Sequence, residues 1–241
     1  MRRYDAAPMT AVLHAALLAL SLAAVGRAAA RVAWLIGARR LDWVLATLAF
    51  AAAAIVVESV ALGLVGIGGS PLALTLAALA TWAVARAWRS GEDVPGLLAA
   101  LARRALALEG PPRRALGAAV GAWAGFVAFQ LFEPALGFDA VLYHLPESVG
   151  WIHTGDPGLG EKPIVESLAV GAYPVIAEVI IAWGGALASS PIAITLLGCF
   201  VIGLVPLAAW TGLRRLEVPP VVAGAGAVGG PAARQRHEDG R

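Results

Sequence analysis

The sequence predicts an all-α protein, a polytopic bundle of about six transmembrane helices with a short interfacial helix in an external loop. Two observations predict this class. Hydrophobic residues make up 59% of the 241 residues and charged residues only 14%, well below the roughly 25% charged residues of an average soluble domain. The uncharged stretches also reach about 20 residues, which is the length that a helix needs to cross a membrane. This composition excludes a disordered or nucleic-acid-binding chain.

Six stretches have the length and the apolar character of a transmembrane span. They are predicted to be helical, because helices satisfy their own backbone groups in lipid. Glu58 and Glu178 each fall within one of them, and an acid inside a span indicates a functional position. The predicted spans are residues 9–26, 43–66, 71–88, 115–132, 173–189 and 191–212.

The first region, residues 1–114, contains three of these spans and a connector at 89–114. The connector has apolar residues at helical spacing, so it is either a helix on the membrane surface or a solvated link.

The first span also has two interpretations. Arg2 and Arg3, with the apolar run after them, resemble a secretory signal peptide as well as a permanent span.

The distribution of arginine predicts the orientation. Residues 27–40 contain four arginines and residues 86–114 contain six, whereas residues 133–166 contain six acids and one lysine. Because positive charge accumulates on the cytoplasmic side, the first two segments are predicted to lie inside and the third outside.

The second region, residues 115–215, contains the last three spans and the external loop 133–172. Within this loop, residues 140–153 have the apolar spacing of a short helix. Asp139, Tyr143 and Glu147 follow one another at intervals of four residues, which places them on one polar side. The remaining residues, 216–241, are Gly-rich and then abruptly polar, and we expect them to be an atypical, truncated tail.

The external loop carries the most informative pattern. Asp139 follows the fourth span, Tyr143 and His144 come four and five residues later, and Tyr173-Pro174 opens the fifth span, with Glu178 four residues after the proline. This ordered set resembles the first external loop of GT-C membrane glycosyltransferases. The most similar group is the bacterial aminoarabinose-transferase and protein O-mannosyltransferase-like proteins, and the resemblance covers about residues 115–215.

The resemblance implies an enzyme of a bacterial plasma membrane, or a fragment of one that is inactive alone. The complete enzyme would move a sugar from a polyprenyl-phosphate donor to an acceptor on the external face, in contact with membrane lipid. Asp139 would be the catalytic carboxylate, acting as general base on the acceptor hydroxyl. The substrate-binding residues would be Tyr143, His144, Glu147, Tyr173 and Glu178. Two structural roles stay open: Asp139 as a helix N-cap and Tyr143 as an interfacial anchor.

No cofactor is predicted. Phe138 and Ala140 flank Asp139, so the acidic pair that would favour a divalent metal is absent from the sequence, and Cys199 is the single cysteine. A non-catalytic multi-span membrane protein and a transporter-like subunit remain alternatives. The spans show no inverted repeat with broken helices of the kind that transporters carry. The sequence does not predict an oligomeric state.

Overall fold

The computed structural model describes residues 8–89, 91, 93–133, 144–156, 176–190, 192–219 and 222–223. Within these ranges the chain forms helices and connecting turns without a strand, which confirms the all-α class. The helices are α1 (Pro8–Leu35), α2 (Arg40–Gly63), α3 (Pro71–Ala87), α4 (Leu97–Leu106), α5 (Gly110–Phe132), α6 (Leu145–Thr154), α7 (Ile176–Ala188) and α8 (Ile192–Arg215).

Each of the six predicted spans overlaps one helix: α1, α2, α3, α5, α7 or α8. Two described helices, Met9–Leu35 and Arg40–Gly63, are long and apolar enough to cross a membrane, whereas α3 and α7 have 17 and 13 residues. The first helix continues beyond the predicted end at residue 26, because the alanines that follow are strong helix formers.

Proline and serine determine where several helices begin. Ser70 caps α3 by accepting a hydrogen bond from the Ala73 amide at 3.4 Å, and Pro71 occupies the first turn. Proline is tolerated there because the first amides of a helix have no partner within it. For the same reason α5, which begins at Gly110, accommodates the two prolines at 111–112 in its first turn.

Helices α1, α2 and α3 form a bundle, and α7 packs against all three. Most of the buried residues between them are small or aliphatic, which lets helices in a membrane approach closely. The Ser21 hydroxyl also donates to Thr75 Oγ1 at 3.1 Å, which joins α1 to α3 inside the bundle. The core contains Ala24, Val25, Ile55, Leu74, Ala78, Trp183, Ala186 and Leu187.

One end of the bundle, where α1 ends and α2 begins, is built from arginine and tryptophan. We call it the arginine end. The Trp43 indole is buried and donates to the Ala30 carbonyl at 2.7 Å, and its ring meets Trp34 edge-on at 4.9 Å. The Arg39 guanidinium lies 3.8 Å from the centre of the Trp34 ring. Part of the connector forms helix α4, and Leu97 of this helix packs here.

Arg31 binds the last carbonyls of α3 at the same end. Its Nε donates to the Ala85 carbonyl at 2.8 Å, and its Nη2 donates to the Trp88 and Arg89 carbonyls at 3.0 and 2.6 Å. The last carbonyls of a helix have no partner within it. Arg31 is only 8% exposed, and these carbonyl oxygens provide hydrogen bonds to its guanidinium in place of water.

By their contacts, residues 1–197 and residues 198–241 form two separate compact units. The bundle and helices α4–α7 belong to the first unit. The second contains most of α8, which ends at Arg215, and the Arg214 guanidinium donates to the Val218 carbonyl at 2.6 Å.

Candidate functional site

Helices α6 and α7 bring together polar side chains that lie 34 residues apart in the sequence. The Nδ1 atom of His144, at the start of α6, forms a hydrogen bond with the Glu178 carboxylate in the first turn of α7. The His144 side chain is 36% exposed and that of Glu178 is 7% exposed. A buried carboxylate therefore fixes the orientation of a half-exposed imidazole.

Ser148 joins the backbones of the same two helices. Its hydroxyl lies 2.7 Å from the His144 carbonyl and 3.3 Å from the Glu178 carbonyl, and the residue is fully buried. The second carboxylate oxygen of Glu178, Oε2, is buried without a hydrogen-bond partner. The first turn of α7 provides a partial positive charge that favours an acid at this position.

Glu147 is the third titratable group near this pair. Desolvation raises the pKa of the Glu147 carboxyl above its ordinary value of 4.5, and the negative charge of Glu178 raises this pKa further. The Glu147 carboxyl therefore keeps its proton to a higher pH than an exposed glutamate does.

A second polar cluster lies among α2, α3 and α7. The Thr81 hydroxyl donates to Oε1 of Glu58, which is buried, while Oε2 of Glu58 has no hydrogen-bond partner. The buried indole N–H of Trp183 faces the same carboxyl but does not reach hydrogen-bond geometry. The sequence singled out Glu58 as an intramembrane acid, but it gave no signal for Thr81 or Trp183, because these contacts cross three helices.

Thr81 also lines a cavity of about 510 Å³ between α1, α2 and α3. The other residues that line the cavity are apolar. Half of the lining consists of alanines, and Phe50 and Trp88 are its aromatic members. The cavity and the Glu58 cluster therefore share one residue.

Three of the six predicted site residues, His144, Glu147 and Glu178, lie close together. Asp139, Tyr143 and Tyr173 lie outside the described residues. Ser148 was missed, and its only signal in the sequence is its position one helical turn after His144. Among the residues that the structure describes, no three His, Cys, Asp or Glu side chains are close enough to hold a metal ion.

The arrangement suits proton transfer or the binding of an anion. A histidine whose Nδ1 is bound to a carboxylate has a fixed ring orientation, and an imidazole can act as a proton donor or acceptor. This is a chemical capability of the pair, and it is compatible with several reactions.

Comparison with known proteins gave no match: no protein-family model matches the sequence, no curated protein matches it, and no solved structure matches the fold. The resemblance to GT-C enzymes therefore stays a prediction from the sequence.

Proposed function

We propose that this protein acts in sugar transfer at the external face of a bacterial plasma membrane, with a polyprenyl-phosphate-linked sugar as donor. The observation that supports this most is the hydrogen bond between His144 and Glu178. These residues belong to the two segments that carry the sequence resemblance, and the contact joins the two segments at one point.

In this proposal α1, α2, α3, α5, α7 and α8 cross the membrane, and α6 lies at the outer surface. The arginine end then faces the cytoplasm, in agreement with the positive-inside rule. We place the His144–Glu178 pair, which joins α6 to the first turn of α7, at the outer surface. A donor whose lipid tail is in the bilayer and an acceptor from the water phase would meet at this boundary.

The residues divide the reaction between them. Asp139 accepts the proton of the acceptor hydroxyl. At the same time the oxygen of that hydroxyl forms a bond to the anomeric carbon of the sugar. The bond from that carbon to the phosphate oxygen breaks, and the polyprenyl phosphate leaves with the electron pair. His144, oriented by Glu178, binds the phosphate oxygens. Glu147, Tyr143 and Tyr173 contact the sugar.

The test is sugar transfer by the full chain in proteoliposomes that contain a polyprenyl-phosphate sugar. Asp139→Asn retains the shape of the side chain but removes the base, so we expect transfer to fall about 10²–10⁴-fold while donor binding persists. Glu133→Gln, at the end of α5, is the matched control and should retain transfer. Near-full transfer by Asp139→Asn would contradict the role of Asp139. A wild-type chain that neither binds the donor nor transfers sugar would contradict the proposed function.

One observation favours a second candidate, a transporter-like subunit. Glu58 and Glu178 are both buried, both have an unpartnered oxygen, and their helices α2 and α7 are in contact. Buried carboxyls of this kind carry protons in membrane carriers. Glu58→Gln separates the candidates, because it should abolish proton-coupled uptake in a carrier and leave sugar transfer intact in an enzyme.

A further inference from the structure

The turn between α2 and α3 contacts the end of α6 through backbone atoms. We call this turn, Leu64–Ser70, the glycine loop. The Gly68 amide donates to the Gly155 carbonyl at 3.0 Å. Gly155 ends α6 with a φ of 68°, a left-handed conformation that favours glycine.

Side chains are excluded from this contact. A Cβ atom at Gly68 would lie 2.9 Å from the Gly155 carbonyl oxygen, and one at Gly155 would lie 2.6 Å from the Gly66 carbonyl oxygen. A Cβ atom at Gly69 would overlap the carbonyl of Ile152. These neighbours are backbone atoms, which cannot rotate away as a long side chain does, so each position tolerates only glycine.

The same part of α6 is in contact with α7 on another side. The Cδ1 atom of Ile152 lies 3.0 Å from the place that a Cβ atom at Gly185 would occupy. Ile152 therefore touches the glycine loop through its carbonyl and α7 through its side chain.

Helix α6 has ten residues, and a helix of this length is marginally stable alone. Its position therefore depends on the contacts that it makes. Ile152 and His144 are eight residues apart, about 12 Å along the helix. A displacement at the Ile152 end therefore moves the His144 end relative to α7.

We infer that the glycine loop is a positioning element for the His144–Glu178 pair: it fixes the end of α6 against α7 and so determines where His144 lies relative to Glu178. The consequence for sugar transfer rests on the proposed function, but the geometric claim can be tested without any activity.

The first test is Gly69→Ala in the full chain, with ¹⁵N NMR of the histidine rings as the measurement. His144→Gln assigns the His144 signal, and Glu178→Gln shows where that signal lies without the carboxylate. We expect Gly69→Ala to shift the Nδ1 signal toward its Glu178→Gln position. Gly26→Ala, in α1, is the control, because a Cβ atom there meets nothing within 4 Å. A folded Gly69→Ala protein with an unchanged signal would overturn the inference.

A compensating pair decides the question if Gly69→Ala does not fold. Gly185→Ala crowds Ile152 Cδ1 and should also shift the signal. Ile152→Val removes that atom, so the double variant Gly185→Ala/Ile152→Val should return the signal to its wild-type position. A signal that does not move in Gly185→Ala, or that stays displaced in the double variant, would count against positioning through α6.

Sugar-transfer kinetics separate this inference from the proposed function. Because a displacement of about 1 Å can lower turnover about 10²-fold, Gly69→Ala should lower kcat far more than it changes donor binding. Loss of transfer with an undisturbed His144 signal overturns the positioning role but leaves the function. A displaced signal in a protein whose wild type transfers no sugar supports the positioning role and contradicts the function.

Discussion

At the arginine end of the α1–α3 bundle, side chains make the decisive contacts, whereas at the glycine-loop end backbone atoms make them. Arg31 and Trp43 donate to carbonyls of neighbouring helices, and the Gly68 amide donates directly to the Gly155 carbonyl. The two ends therefore respond differently to substitution. The arginine end is weakened when atoms are removed, and the glycine-loop end is disrupted when a single methyl group is added.

The largest expected effect at the arginine end comes from Trp43→Ala. This change leaves a cavity beside Trp34 and removes the donor to the Ala30 carbonyl, so we expect a loss of about 3–5 kcal/mol in stability. Thermal unfolding in detergent measures it. Trp43→Phe retains most of the ring and removes the donor, and its cost should be about 1 kcal/mol. Equal losses in the two variants would show that packing contributes little here.

Arg31→Met is expected to have the next largest effect, about 2–3 kcal/mol, because it leaves carbonyls at the end of α3 without their donor. Arg27→Met is the matched control one turn earlier in α1. Arg27 is exposed, so its replacement should change stability by less than about 0.5 kcal/mol. Thermal unfolding of the two variants side by side measures the difference. If both are equally mild, the hydrogen bonds of Arg31 do not stabilise this end.

The smallest effect concerns Glu147, in the first turn of α6. Its pKa is raised above 4.5 in the folded protein, so the folded state binds more protons than the unfolded state just above that pH. Its contribution to stability therefore falls as pH rises from 4.5 through the raised pKa. Glu178→Gln removes one cause of the shift and should lower the Glu147 pKa, measured by NMR titration of its side chain. A Glu147 pKa that does not change in Glu178→Gln would show that desolvation alone raises it.

Much of the helix arrangement could be predicted, because it depends on local features of the sequence. Apolar stretches located six of the helices, α1, α2, α3, α5, α7 and α8, although α3 and α7 have only 17 and 13 residues. Glu58 and Glu178 were recognised as acids within apolar spans, and His144 and Glu147 became site candidates through the resemblance of the external loop to that of GT-C enzymes.

The pairing of these residues could not be predicted in the same way. That His144 contacts Glu178, and that Thr81 contacts Glu58, depends on which helices pack together, and no local pattern specifies that. The contact of the glycine loop with α6 is harder still, because backbone atoms form it and a glycine in a turn looks the same with or without a neighbour. Arg31 was counted only as a charge that orients the chain, although its guanidinium lies buried against α3.

The position of Arg31 also has a consequence for the biogenesis of the protein. Its three acceptors come 54 to 58 residues later in the chain, so they do not yet exist when the ribosome has made only α1. A nascent α1 therefore carries a cation whose acceptors at the end of α3 are still untranslated. Trp43 can join α2 to α1 before this point, but the hydrogen bonds of Arg31 can form only after α3 has been made.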